Sequence, residues 1–178
     1  MSDKAKKVLY LLLSALITLI LYILLHETGH LIVMLTAGAT ITDFSILTAH
    51  VSAVGGTYSD LSDLWLHVNG ALLPVIVSFV YMLFYKKKKE SPFYRIFSYI
   101  VSIAPTMSLL AWVIIPFIYL QGNAPVGEDV TKFLFNFAQN HQPLIVSAVA
   151  VVIIVVDVIV MVKKDIIKNA ILIMRERV

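Results

Sequence analysis

Residues 8–36 read VLYLLLSALITLILYILLHETGHLIVMLT, an apolar run interrupted by His26-Glu27-Thr28-Gly29-His30, in which Glu27 is the one formal charge. The run exceeds the roughly 20 helical residues that cross a hydrocarbon core of about 30 Å. It predicts a membrane-spanning helix that tilts, or protrudes at one end. Two histidines four apart on a helix project from one face. Both imidazoles can then ligate one zinc ion, with Glu27 beside them to act on a water at the metal. An acid inside a span costs roughly 2.5–3.5 kcal/mol on insertion scales. Something must offset that cost, either a bound metal or a polar cavity open to water.

The chain has 178 residues, 60% of them hydrophobic, and a mean hydropathy of +0.90. That excess is foreign to ordinary globular domains. The length suits one membrane-embedded unit over residues 1–178. With no cysteine, a disulfide framework and a thiolate metal site are excluded. The net charge of +3 is clustered beside the apolar runs. Such clusters orient a membrane protein and do not point to nucleic acid. Residues 1–7, basic and followed by an apolar run, have the look of a signal peptide. The run is too long for one and contains the motif, so we read it as a retained first span.

Four spans are expected, at about residues 8–36, 64–85, 93–120 and 143–162. From Val8 to His26 is about 27 Å of helix, which places the motif toward the far side from the N-terminus. Residues 40–54 are rich in Thr, Ile, Val and Ser, and Gly55-Gly56 follows; they predict one or two short strands and a turn. The second span opens on Trp65, carries His67, Asn69, Gly70 and Pro74 in its first half, and ends at Lys86–Lys89. Pro105 and Pro116 predict a kink or break in the third. Val130, Phe133, Leu134 and Phe137 follow the spacing of an amphipathic helix lying along the membrane surface or over the site. After Lys163-Lys164, Ile166, Ile167, Ile171 and Leu172 alternate with Lys168, Arg175 and Arg177, which suits a helix on an anionic leaflet. The fold expected is an all-α polytopic membrane protein with a short extracytoplasmic β-hairpin-like segment and amphipathic surface helices. Its lysine clusters put both termini in the cytoplasm and the motif toward the extracytoplasmic side of what is expected to be the plasma membrane.

A catalytic zinc takes three protein ligands and keeps one position for water. By residue type the third could be Asp129, His67, His50, Glu128 or Asp157. Asp157 falls near the inner end of its span, where Arg95 could pair with it, and it reads as structural. His50 and His141 read as solvated, and Glu128-Asp129 also suit the first turn of a helix. Asn69 could bond a neighbouring helix, or donate to an oxyanion at the metal, as could His67. Gly29 and Gly70 read as close-packing residues.

HETGH in a first span, Gly55-Gly56-Thr57 after it, Asn69, Gly70 and Pro74 in the second span, and Asp129 ahead of an apolar helix together resemble the site-2 protease family. These are intramembrane zinc metallopeptidases, and the likeness is to the small branch without a PDZ domain. It runs over roughly residues 8–137 and rests chiefly on HETGH. The resemblance implies Asp129 as third ligand, although Glu128 and Val130 flank it where the family carries other residues. It implies Zn2+ as cofactor, with His26, His30 and Asp129 holding it and Glu27 as general base. The substrate implied is a membrane-embedded peptide or protein, unwound and received as an added strand on residues 40–54. Two other classes fit the composition: a non-enzymatic membrane protein with a closed structural metal site, and a metal transporter.

Overall fold

The computed structural model describes residues 3–139 and 141–175. In order these form α1 (Asp3–Thr36), β1 (Ala39–Ser45), β2 (His50–Gly55), α2 (Asp60–Leu83), α3 (Pro92–Leu120), α4 (Asp129–Phe137), α5 (Leu144–Lys163) and α6 (Ile166–Arg175). The chain is mostly helical, and α1, α2, α3 and α5 are each long and apolar enough to cross a membrane. Met1, Ser2 and Arg177, the last part of the expected basic tail, lie outside the described residues.

These four helices are apolar outside and polar within. Leu12, Leu16 and Leu19 make an outward row on α1, each more than half exposed, whereas Ser14 and Thr18 on the same helix are buried. Ser78, Ser98, Ser102, Thr106 and Ser147 are buried too. Water would reverse that arrangement. Where helices associate in an apolar solvent, small residues let backbones approach and hydroxyls bond across. Ser147 Oγ donates to the Val113 carbonyl at 2.8 Å, joining α5 to α3. Pro105 has no N–H to offer the Val101 carbonyl one turn back. Ser78 Oγ of α2 donates to that carbonyl instead, at 3.1 Å. The helix runs unbroken through Pro105 and Pro116, and at Pro105 a neighbour satisfies what the ring frees.

Basic residues gather at one end. Tyr10 near the start of α1 rests edge-on against Phe93 at the start of α3. Lys164 Nζ donates to the Leu83 carbonyl at the end of α2, and Lys87 Nζ to the Lys163 carbonyl at the end of α5. Each lysine thus caps the other helix's orphan carbonyls. Asp165, with φ of 59°, turns the chain into α6, whose Ile166, Ala170 and Ile173 are buried while Ile171, Leu172 and Met174 are exposed. The expected pairing of Arg95 with Asp157 does not form. Arg95 Nε donates to the Lys89 carbonyl at 3.0 Å. Asp157, 2% exposed, accepts from Thr106 Oγ1 at 2.9 Å. The cause is depth: Arg95 sits one turn into α3, beside the lysine loop, and Thr106 sits near its middle.

At the other end the chain makes two excursions. Residues expected as strands pair antiparallel, from Ala39↔Gly55 to Ser45↔His50, with an irregularity between Ile41 and Asp43. Gly55 and Gly56 adopt φ of 73° and 84°, which glycine alone takes without strain. Gly122 and Gly127, at φ of 77° and 96°, bend the chain from α3 into α4. Val130 and Leu134 then anchor α4 in a core shared with α2, α3 and α5, and Phe133 meets Trp112 with ring centroids 5.4 Å apart. That anchoring aims the first turn of α4 at α1.

Candidate metal centre

The site is assembled from α1, α2 and α4. One turn of α1 presents His26 and His30 side by side, their Nε2 atoms 3.1 Å apart. Asp129, first residue of α4, brings Oδ2 to 3.3 Å from His26 Nε2 and 3.1 Å from His30 Nε2. This trio could hold a metal ion. The spacing supports that use. Ligand atoms set tetrahedrally at roughly 2.0–2.1 Å from one ion lie about 3.3 Å from each other. Two imidazoles and a carboxylate also form a donor set common to several divalent cations.

His30 is oriented for the task. Its Nδ1 lies 2.7 Å from the Leu66 carbonyl of α2. A carbonyl can only accept, so Nδ1 carries the proton and Nε2 keeps a lone pair for the cation. His26 is held differently: its Nδ1 is buried without a hydrogen-bond partner among the described residues, and Tyr22 stands one turn below, ring centroids 5.9 Å apart. Burial works against charge on Asp129, but the imidazoles of His26, His30 and His67 gathered around it outweigh that and hold the carboxyl well below the usual carboxylate range. The start of α4 adds its positive helix end.

The close crossing of α1 and α2 depends on two glycines. A Cβ on Gly29 would run into the Asn69 carbonyl, and one on Gly70 into the His30 imidazole and to 3.0 Å from His26 Cε1. Asn69 Nδ2 donates to the Gly29 carbonyl at 2.9 Å. The helix-bonding expectation for Asn69 is therefore met, with one of its two amide hydrogens committed.

Glu27 is 5% exposed. It lines an open cavity of about 420 Å³ together with His26, His30, His67 and Asp129. The hairpin supplies another wall, Ala49 to Val51. His50, expected to be simply solvated, is thus at the cavity, with Nε2 2.9 Å from Asp43 Oδ2. Glu128 and Lys132 also line it. Lys132 had a signal in the sequence, one turn after Asp129, whereas the Leu66 carbonyl had none. His67 Nδ1 stands 3.8 Å from Asp129 Oδ1, outside the trio. Asp157, buried at mid-bundle against Thr106, takes no part, and His141 rests on Phe137.

Replacing Asp129 by alanine should lower the affinity for a divalent cation by more than the 10–100-fold typical of losing an outer-shell partner. Metal content of the purified variant, compared with that of the parent protein, checks this. Compared with known protein families, curated proteins and solved structures, the chain matches none.

Proposed function

We propose that this chain is an intramembrane zinc metalloprotease of site-2 protease type, hydrolysing peptide bonds of membrane-embedded or membrane-associated substrates. The observation that carries the reading is the convergence of His26, His30 and Asp129 beside a buried Glu27, on helices whose outer faces are apolar. Zinc suits two neutral imidazoles and one carboxylate with a position left over. Bound there, it would lower the pKa of water toward 7 and polarise a carbonyl.

The remaining chemistry belongs to the chain. Glu27 accepts the proton of the attacking water and passes it to the leaving amine. His30, its Nδ1 proton engaged by Leu66, stays in the tautomer that ligates. Asn69, bonded to the Gly29 carbonyl, holds the α1–α2 crossing; it does not line the cavity at the trio, and its part is to position the two helices. Among the described residues no third strand pairs with β1 or β2, and an unwound peptide can satisfy its own backbone groups on one of their edges. In this reading the lysine-rich end faces the cytoplasm and the hairpin and metal centre face the extracytoplasmic side.

Two features weigh against a transporter. The polar ligands collect at one end of the helices, and the mid-depth acid Asp157 is sealed, at 2% exposure, where a conduction path would hydrate it. The test is cleavage of a helical membrane peptide co-reconstituted in vesicles. Zinc-loaded protein should cut it, a chelator should abolish cleavage, and added Zn2+ should restore it. Cleavage indifferent to the chelator, or none at all, sinks the proposal.

A further inference from the structure

Beyond the trio, a chain of polar side chains joins the third ligand to α2. Asp129 uses Oδ2 toward the imidazoles. Its other oxygen, Oδ1, faces His67 Nδ1 at 3.8 Å. On the far side of that ring, His67 Nε2 faces Asp63 Oδ1 at 3.9 Å. Asp63 Oδ2 accepts a hydrogen bond from Asn136 Nδ2. Asn136 lies two helical turns along α4 from Asp129, on the same face. Asp63 and His67 are likewise one turn apart on α2. The four residues therefore close a bracket: α4 is tied to α2 at its far end through Asn136 and Asp63, and at its ligand end through His67.

We infer that Asp63 and His67 are positioning residues for the metal. They hold Asp129 Oδ1 away from the ion, so that Asp129 binds through Oδ2 alone and one coordination position stays open. The inference rests on the metal reading above. The two gaps beside His67 are about 1 Å longer than a hydrogen bond. One water in each completes the chain; a small closure of α4 on metal binding would shorten only the gap to Asp129, because Asp63 and His67 share α2. A cavity of about 340 Å³ lined by Asp63, His67 and Asn136 gives room at the gap to Asp63, and the open cavity of about 420 Å³ lined by His67 and Asp129 gives it at the gap to Asp129. His67 thereby has a role that neither a fourth ligand nor an oxyanion donor would fill.

The experiment uses the full chain in detergent or vesicles, loaded with Zn2+ for affinity and X-ray absorption, and with Co2+ for its visible spectrum. The parent protein should show two imidazoles on zinc. His67→Ala should keep that count and bind zinc 10–100-fold more weakly. Its cobalt spectrum should lose intensity, as Asp129 turns to bind through both oxygens and the coordination number rises. His67→Gln, which retains a donor, should recover part of both. Asp63→Asn, outside the ligand set and at the start of α2, covers the case in which His67→Ala does not fold, and should weaken zinc in the same sense. Equal affinity and an unchanged cobalt spectrum in all three variants overturn the bracket and leave the metal reading standing. Three imidazoles in the parent, falling to two in His67→Ala, overturn it by making His67 a ligand. A parent protein that binds no zinc removes both readings together.

Discussion

Replacing Glu27 by glutamine is expected to leave zinc bound and to slow peptide cleavage by roughly 10²–10⁴-fold. Glutamine has the shape of glutamate, so the cavity that Glu27 lines keeps its volume. It lacks the basicity to accept a proton from water. Glu27 is not one of the trio that could hold the ion, and removing its charge does not unbind a ligand. The two readouts separate the possibilities. Lost cleavage with full zinc content assigns Glu27 the proton transfer. Lost cleavage with lost zinc would mean that Glu27 holds the metal, or the fold around it. Cleavage within a few-fold of the parent would end the general-base assignment and, with it, the closest tie between HETGH and hydrolysis.

What the sequence makes legible follows from range. Local rules reach across one or two turns. They identify the helix faces, the strand-rich stretch after α1 and the amphipathic spacing of α4, and they place His26 and His30 on one face. They also set limits on Asp129, since a carboxylate opening a helix is expected on dipole grounds whether or not it binds a metal. That it reaches the imidazoles depends on two glycine bends, Gly122 and Gly127, and on Val130 and Leu134 finding a core. His26 and Asp129 belong to different thirds of the chain, and no periodicity connects them. The Arg95–Asp157 expectation failed for the same reason in reverse. Charge complementarity proposed a pair that depth forbids, and a threonine hydroxyl took the acid instead. The backbone acceptor for His30, the Leu66 carbonyl, is invisible to any reading of side-chain types.

The second large effect is expected from the smallest residue at the site. Gly70→Ala should destroy tight zinc binding. The added methyl runs into the His30 imidazole, with His26 Cε1 only 3.0 Å away. His30 cannot swing clear without breaking its bond to the Leu66 carbonyl, which lies one turn before Gly70 on the same helix. Either the ring leaves the trio or α2 withdraws from α1. Overpacking of this kind costs about 1–3 kcal/mol, and here the strain falls on a ligand. Gly29→Ala gives the comparison. Its methyl meets the Asn69 carbonyl and the Gly70 nitrogen, backbone that no rotamer change can relieve, so the α1–α2 crossing itself must widen. Gly29→Ala should therefore lower thermal stability at least as much as Gly70→Ala. Gly70→Ala should show the greater loss of zinc for each degree of stability lost. Zinc affinity and melting temperature measured on both variants decide the matter. Parent-like zinc affinity in Gly70→Ala would mean that α2 does not press against the imidazoles, and the metal centre would then need a different second wall.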